Sequence, residues 1–310
     1  MRQKRFFALV AFTLLLSSSG LAAPDAAPAD TTPAPMTLDV DASDFPRRIL
    51  HARLVVPARP GPMKLLYSKW IPGEQGPTGP VENLAGIQFS ARGKPVPWRR
   101  DDADMYAIEC EVPAGADAIE VSLDFPLSKS KTFTGGASST PKLGVLSWNH
   151  VLLYPQGRPV RDIVCRASLR LPAGWKFGTA LPLASGQAQR TEFAPVSLET
   201  LVDSPVLCGA HLREVPIGPA SSPGAAATPR HFLVMACDSE EGLKLSPELK
   251  ANLDRLVAEA GALFGNRRYA SYRFLLTLSD HVDFFGFEHH ASSDNRTRER
   301  ILIDDDIRKG

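Results

Sequence analysis

The sequence concentrates its ionisable residues in segment 280–294, which contains His281, His289 and His290 together with several carboxylates. The segment follows an apolar stretch at 272–278, and functional side chains often lie where a strand passes into a loop. Imidazole and carboxylate groups bind zinc or act as general bases. None of the spacings between the three histidines gives the pair, four residues apart, that places two imidazoles on one helical face. We therefore favour solvated loop histidines over a zinc site built from these three.

The same segment carries a resemblance to a known family. Gly286–His289, followed by Ser292 and Ser293, resembles the Gly-Gly-Leu-Glu-His motif and trailing serine of the glycyl aminopeptidase family of zinc metallopeptidases, peptidase family M61. Two further landmarks fall in that family's order. Trp70–Gly73 resembles its Trp-x-Pro-Gly turn, and Leu201–Pro205 resembles its Leu-Val-Asp-Ser-Pro segment. The resemblance covers residues 37–305.

The resemblance implies a β-sandwich followed by a thermolysin-like (gluzincin) catalytic domain, in which a His-Glu-x-x-His helix and a later glutamate bind zinc. This sequence contains no His-Glu-x-x-His, and no histidine in it is followed directly by glutamate. The chain therefore offers no zinc ligand and no general base of that motif, and we identify no catalytic residue in it. We expect either a fragment of a longer enzyme or a natural early stop, with the complete family member as the zinc-dependent, active species.

The resemblance also implies roles for the motif residues. Gly286, Phe287, Glu288 and His289 are predicted to border the substrate cleft, with Glu288 meeting the α-ammonium group of a peptide through charge-assisted hydrogen bonds. Gly286 would let a peptide approach as an added strand. The predicted partners are peptides with small amino-terminal residues, glycine above all. The alternatives are an ordinary surface carboxylate at Glu288 and a solvated imidazole at His289. Phe287 and His290 are bulkier than the family's usual residues.

Two function classes follow. The first is an exported zinc-dependent aminopeptidase, of which this chain is the amino-terminal half. The alternative is a non-catalytic exported protein, a β-sandwich that binds peptides or another protein. A weaker third interpretation is a carbohydrate-binding sandwich that uses Trp98, Trp148 and Trp175, although core packing explains these side chains more simply. The 35 cationic and 34 anionic side chains nearly cancel, which argues against nucleic-acid binding.

Hydrophobic periodicity changes near residue 218. Before it, apolar residues alternate with polar ones at 106–112, 119–125 and 163–171, and a hairpin is predicted around the Ala-Arg-Gly-Lys turn at 91–94. Such short strands favour a mainly β, antiparallel sandwich. We expect Trp70, Pro72 and Gly73 to form a rigid turn that packs the aromatic side chain.

After residue 230 the sequence predicts the opening α+β part of the catalytic domain. Apolar residues from Leu249 to Phe264 recur at spacings of three and four, which predicts an amphipathic helix. Ser246 is its predicted N-cap, Pro247 its first residue, and Gly265 the left-handed residue that ends it. Strands are predicted at 231–236 and 272–278, and a further one at 301–303.

The resulting domain boundaries are a signal peptide at 1–22, a flexible leader at 23–36, a β-sandwich at 37–217, a linker at 218–230 and the truncated start of the catalytic domain at 231–310. The signal peptide, with cations before a short apolar core, predicts a periplasmic or secreted protein without a stable membrane span. Export would permit disulfides among Cys110, Cys165, Cys208 and Cys237, but buried free thiols are an equal alternative. The oligomeric state and any downstream PDZ-like domain stay open.

Overall fold

The described part of the chain folds mainly into β-strands, with a single long helix near its carboxyl end. The computed structural model describes residues 34–71, 76–127, 139–187, 190–219 and 229–309, so the predicted signal peptide lies outside it. Its helices are α1 (Leu198–Val202), α2 (Pro247–Phe264) and α3 (Asp305–Lys309). Its strands are β1 (Met36–Asp41), β2 (Ile49–Pro57), β3 (Gly61–Tyr67), β4 (Ala85–Ala91), β5 (Lys94–Pro95), β6 (Trp98–Arg100), β7 (Ala107–Val112), β8 (Ala118–Pro126), β9 (Leu143–Leu146), β10 (Leu153–Pro155), β11 (Val164–Arg170), β12 (Lys176–Thr179), β13 (Leu183–Gln187), β14 (Arg190–Phe193), β15 (Val196–Ser197), β16 (Val206–Gly209), β17 (His211–Ile217), β18 (Arg230–Cys237), β19 (Ser271–Leu278), β20 (Phe285–Glu288) and β21 (Ser292–Thr297).

The largest layer is a nine-stranded sheet in the order β13-β14-β11-β1-β2-β8-β4-β5, with β15 also paired to β11. All neighbours are antiparallel except β1 and β11, which run parallel. Alternation along β1 buries Leu38 and Val40 and turns Asp39 and Asp41 outward, because successive side chains of a strand point to opposite faces. The predicted hairpin is confirmed, and Arg92 and Gly93 at its tip both have positive φ, as a two-residue type I′ turn requires.

The inner face of this sheet packs against a four-stranded sheet in the order β10-β3-β7-β6. One continuous core lies between them, and its largest fully buried side chains include Trp148, Tyr67, Phe45 and Phe125. Trp148 donates a hydrogen bond from Nε1 to the carbonyl of Ser204 at 2.9 Å. The predicted mainly β, sandwich-like fold is therefore confirmed for the amino-terminal region.

Two smaller sheets complete the structure. β12, β16 and β9 form a three-stranded sheet in that order, and the second is five-stranded in the order β17-β18-β19-β21-β20. Leu143, Val145 and Leu207 of the three-stranded sheet pack against one face of the five-stranded sheet. A Cβ atom at Gly178 of β12 would lie 2.5 Å from a methyl group of Val234, so this close approach requires glycine. The predicted linker joins β17 and β18, which are antiparallel neighbours.

Helix α2 crosses between the parallel strands β18 and β19, on the other face of the five-stranded sheet. Its predicted ends are confirmed: Ser246 Oγ accepts a hydrogen bond from the Leu249 N–H at 3.1 Å, Pro247 is the first residue, and Gly265 has φ +66°. The helix buries only Val257 completely. Three apolar side chains of its predicted stripe are exposed instead: Leu256 (54%), Leu263 (77%) and Phe264 (75%).

Two local predictions are wrong. Residues 301–303 form turns rather than a strand, because the N–H groups of Ile301 and Ile303 bond to carbonyls three residues earlier, while the side chains of Ile301 and Leu302 pack onto the core beside α2. Trp70 is 64% exposed instead of packed. Tyr106 anchors this loop in its place, since its hydroxyl donates to the carbonyls of Pro77 and Gly79. Pro72 and Gly73 lie outside the described residues.

All four cysteines are buried and carry free thiols. Burial raises the pKa of Cys165 to about 12, which keeps that thiol protonated and unreactive. The sequence left open either disulfides or buried free thiols. In the structure the four cysteines are buried free thiols that pack as small hydrophobic side chains. Among the described residues, no helix is both long and apolar enough to cross a membrane.

Candidate functional site

The predicted substrate-binding residues lie on β20, at the edge of the five-stranded sheet. Along the described part of the chain, β20 pairs only with β21, so its other edge is unpaired. The two strands are joined by a tight turn that the His289 N–H closes by donating to the Ser292 carbonyl at 2.9 Å. Hydrogen-bonded pairs alternate with non-hydrogen-bonded pairs in an antiparallel ladder, so the N–H and C=O groups of Gly286 and Glu288 point toward the free edge.

Alternation along β20 also separates its side chains. Phe285 and Phe287 lie on the face that packs against the three-stranded sheet, and their rings are 4.9 Å apart. Gly286 and Glu288 lie on the opposite face, which α2 covers farther along the sheet, and both are exposed. The strand thus presents one carboxylate and one position without a side chain next to a free backbone edge.

His289 is tied to a distant part of the chain. Its Nδ1 lies 3.1 Å from Oδ1 of Asp203, and the N–H of His290 donates to Oδ2 of the same carboxylate at 2.9 Å. Asp203 directly follows α1 within the Leu201–Pro205 segment. Two landmarks that the sequence related only by their order are therefore in direct contact.

The carboxyl group of Asp203 responds to this contact. Partial burial would raise its pKa, but the hydrogen bonds from His289 and from the His290 N–H outweigh burial and lower the pKa below its ordinary value. Asp203 is thus anionic at neutral pH and fixes the end of the β20–β21 hairpin. Sequence reasoning missed this role, and the one available signal was that both segments belong to the same family pattern.

A buried ion pair supports the hairpin from the side of the phenylalanines. Arg296 and Asp294 of β21 are 2% and 3% exposed, and Arg296 donates to Oδ2 of Asp294 at 2.8 Å. The guanidinium lies 3.9 Å from the centre of the Phe285 ring, a cation–π contact. Removing one member of such a pair would leave an uncompensated buried charge. The cation–π contact between Arg296 of β21 and Phe285 of β20 joins the two strands. The polar sequence of β21 gave no signal that it forms a buried central strand.

The guanidinium of Arg296 also acts on His150, in the 3-10 helix at Trp148–Val151 of the amino-terminal region. Burial, and then the positive charge of Arg296, lower the pKa of His150 to about 4. The imidazole stacks on Phe125 with ring centres 4.8 Å apart, and its buried Nδ1 has no hydrogen-bond partner among the described residues. His150 is therefore neutral at physiological pH.

Tyr272 of β19 completes the surroundings of the predicted site. Its hydroxyl donates to the Ser292 carbonyl at 2.8 Å. Burial raises the pKa of this phenol, and the negative charges of Glu288 and Asp203 raise it further. The hydroxyl thus stays protonated beside two carboxylates, where it can donate a hydrogen bond.

The three candidate metal-binding histidines are not brought together. His289 is bound to Asp203, while His281 and His290 are exposed. Within the described ranges, no three His, Cys, Asp or Glu side chains gather closely enough to hold a metal ion. The residues present here do not fit the zinc ion that the family resemblance implies.

A comparison with known sequence families decides the family. Residues 37–210, more than half of the chain, match the peptidase M61 N-terminal domain. The chain belongs to the peptidase M61 family. A search among curated proteins found no match for this M61 chain. The predicted family membership is confirmed.

Solved structures resemble the M61 chain at low identity, which shows a shared fold. An aminopeptidase N family protein from Idiomarina loihiensis is 20% identical, with a TM-score of 0.68 over 86% of this chain and 43% of that protein. Yeast LTA4 hydrolase is 10% identical, with a TM-score of 0.51 over 88% of this chain and 42% of that protein. The M61 chain therefore spans less than half the length of these two relatives.

Proposed function

We propose that this chain is the amino-terminal part of an exported zinc-dependent aminopeptidase that acts on peptides with small amino-terminal residues, glycine above all. In this proposal residues 231–310 are the opening part of a thermolysin-like catalytic domain. Membership of the M61 family and the fold shared with aminopeptidases support it. The single observation that carries the proposed peptide binding is the free edge of β20, which presents Glu288 and the exposed backbone groups of Gly286 and Glu288.

The first step is the binding of an extended peptide as an added strand. The N–H and C=O groups of Gly286 and Glu288 face the unpaired edge, and a peptide placed there would form the next ladder of the sheet. Gly286 has no side chain to obstruct the approach, and a Cβ atom there would lie 3.3 Å from Oδ1 of Asn295. Main-chain pairing would supply affinity that depends little on the peptide sequence.

The second step is recognition of the peptide's amino terminus. Glu288 is exposed on the face of the sheet away from the phenylalanines. An α-ammonium group at the end of the added strand would donate charge-assisted hydrogen bonds to this carboxylate. A peptide whose α-amino group is acylated lacks that charge, so the contact would select free chain ends.

Phe287 and His289 have positioning roles in this proposal. The Phe287 ring packs on Phe285 and the imidazole of His289 is fixed by Asp203, so both side chains hold β20 in place. Among the residues that the structure describes, no group of His, Cys, Asp or Glu side chains is arranged to hold the zinc that the family resemblance implies. The roles assigned here therefore concern peptide binding alone.

The test uses the gene product purified from its source, with mass spectrometry and an assay of glycyl-p-nitroanilide hydrolysis. We expect a mature amino terminus at Ala23 and a mass that exceeds that of this chain. Replacing Glu288 with Gln should lower kcat/KM by about 100-fold, mainly through KM, because a charged hydrogen bond to substrate is lost. Glu248→Gln, an exposed carboxylate on α2, is the matched control and should leave kcat/KM unchanged.

Two results would overturn the proposal. A product no heavier than this chain that releases no p-nitroaniline would favour the exported peptide- or protein-binding protein instead. Equal kcat/KM values for Glu288→Gln and Glu248→Gln would remove the role of Glu288 even if the enzyme is active.

A further inference from the structure

The outward face of the nine-stranded sheet carries a row of polar side chains that peptide binding at β20 does not use. Asp39 of β1 is directly opposite Arg53 of β2, Arg53 is opposite Ser122 of β8, and Ser122 is opposite Gln88 of β4. Neighbouring strands are about 4.8 Å apart, so the row spans roughly 14 Å across the sheet. That length accommodates a short oligomer lying across four strands.

These four residues form the floor of a continuous groove. They line two neighbouring cavities, of about 930 Å³ and about 660 Å³, and belong to both. One end of the groove is polar and the other is apolar. Asp41, His51, Asp124, Arg170 and Arg190 line the polar end. Ile87, Pro95, Pro97 and Trp98 line the apolar end.

The middle of the row has unused hydrogen-bonding groups. Asp39 already accepts hydrogen bonds from Ser168 and from Arg190. The side chains of Arg53, Ser122 and Gln88 have no side-chain hydrogen bond or ion pair with any described residue. A guanidinium, a hydroxyl and an amide on adjacent strands together offer donors and acceptors in fixed positions. A ligand with many closely spaced hydroxyl groups can satisfy them simultaneously.

The charges lining the groove nearly balance. The four carboxylates of Asp39, Asp41, Glu120 and Asp124 are offset by three arginines, and His51 lies beside them. His51 Nδ1 is 2.7 Å from Oδ1 of Asp124, and this hydrogen bond raises the pKa of the imidazole. Because the lining has little net charge, its field would concentrate neither a polyanion nor a polycation. The complementary ligand is polar and uncharged.

The apolar end supplies a flat surface. Trp98 is half-buried, its Nε1 donates to the Ile87 carbonyl at 3.2 Å, and its ring lies 6.0 Å from that of Phe89. These contacts hold the indole in one orientation at the end of the groove. A rigid aromatic face next to a row of hydrogen-bonding groups suits a sugar, whose ring has an apolar C–H face and a polar hydroxyl rim.

We propose that the outward face of the nine-stranded sheet binds a neutral oligosaccharide, with one sugar ring stacked on Trp98 and hydroxyl groups bonded to Arg53, Ser122 and Gln88. This site is separate from the edge of β20 and does not depend on peptidase activity. It would attach the protein to glycans while β20 stays accessible.

The test is isothermal titration calorimetry of the purified chain with six neutral hexasaccharides: cellohexaose, maltohexaose, mannohexaose, xylohexaose, laminarihexaose and chitohexaose. We expect at least one to bind with a Kd between micromolar and millimolar. Arg53→Ala and Gln88→Ala should each weaken that binding by about tenfold, since each removes hydrogen bonds to the ligand. Arg166→Ala changes an exposed residue of the same sheet outside the groove and should bind like the wild type.

Trp98 requires a second variant, because Trp98→Ala removes a half-buried ring. Trp98→Phe keeps an aromatic face of smaller area and should weaken binding less than Trp98→Ala, while lowering the melting temperature less than Trp98→Ala does. The proposal is overturned if none of the six sugars binds at millimolar concentration, or if Arg166→Ala weakens binding as much as Arg53→Ala. It is equally overturned if a heparin hexasaccharide or a neutral decapeptide displaces the bound sugar with higher affinity.

Discussion

The amino-terminal sandwich and the five-stranded sheet differ in how completely they bury their large apolar side chains. In the sandwich, Trp148 and Phe45 are completely buried between two sheets. On the five-stranded sheet, α2 buries Val257 but leaves Leu256 and Leu263 largely exposed, and Phe284 beyond β19 is exposed as well. The sandwich therefore completes its core with its own strands. Within the described residues, the five-stranded sheet covers only part of the apolar stripe of α2.

The largest effect expected from this difference comes from matched leucine truncations. Leu54→Ala in the sandwich should lower the free energy of unfolding by about 4 kcal/mol, because it removes a completely buried side chain and leaves a cavity. Leu263→Ala on α2 should change it by less than about 0.5 kcal/mol. Urea unfolding of both variants measures the contrast. A loss of several kcal/mol for Leu263→Ala would show that the stripe is covered in solution.

The next effect concerns the imidazole where the two regions meet. The folded protein lowers the pKa of His150 to about 4, whereas the unfolded chain has a value near 6.5. The unfolded state therefore binds the proton first as the pH falls, and the free energy of unfolding should drop by about 3 kcal/mol between pH 6.5 and pH 4. His150→Phe keeps a ring against Phe125 but has no group that titrates. Its free energy of unfolding should therefore fall by about 3 kcal/mol less than that of the wild type over the same pH range. Parallel stability curves for the two proteins would contradict this account.

A smaller effect is expected at the contact between Asp203 and the hairpin. Asp203→Ala should cost about 2 kcal/mol at pH 7, because it leaves His289 and the N–H of His290 unpaired. Since the fold lowers the pKa of Asp203, this contribution is present above about pH 4 and is lost as the pH falls through the folded value. Chemical denaturation at pH 7 and at a pH below the folded pKa of Asp203 measures this loss. Asp102→Ala, whose side chain is 98% exposed, is the control.

The smallest effect is expected at His51, on the outward face of the sandwich. Asp124 raises the pKa of His51, so its contribution is present below about pH 6.5 and is lost as the pH rises through the folded value. The ring is partly exposed, and we expect His51→Gln to cost no more than about 0.5 kcal/mol at pH 5.5 and nothing at pH 9. Thermal melts of the wild type and His51→Gln between pH 5.5 and pH 9 test this pH dependence, which is opposite in sign to that of His150. A stability difference between the two proteins that grows with pH would refute the prediction.

Local sequence patterns predicted several strands, among them β7, β8, β11, β18 and β19, and both ends of α2, because alternation, turn residues and capping groups act within a few residues. The same patterns failed where long-range contacts decide the structure. Asp203 and His289 are 86 positions apart, and no local rule sets the packing that joins them. The ion pair of Asp294 and Arg296 lies in a stretch whose polarity predicts exposure rather than a buried strand.

The exposed face of α2 shows the same limit from the other direction. Its spacing of three and four predicted an amphipathic helix, and the helix is present. Periodicity indicates which residues share a face, but it does not indicate how much of that face a neighbouring sheet covers. Trp70 was mispredicted for a similar reason, since Tyr106, which precedes β7 and is distant in sequence, anchors the loop through hydrogen bonds to the Pro77 and Gly79 carbonyls.

The parallel pairing of β1 with β11 has a consequence for how the chain folds. Asp39 and Ser168 touch across this pair although 129 positions separate them. Closing so long a loop is entropically costly, and topologies rich in such contacts fold slowly. During synthesis, β1 would have β2 as its neighbour long before β11 emerges from the ribosome. During this time the edge of β1 that later pairs with β11 would be open to non-native strand pairing. A chaperone that shields this edge should raise the yield of native protein.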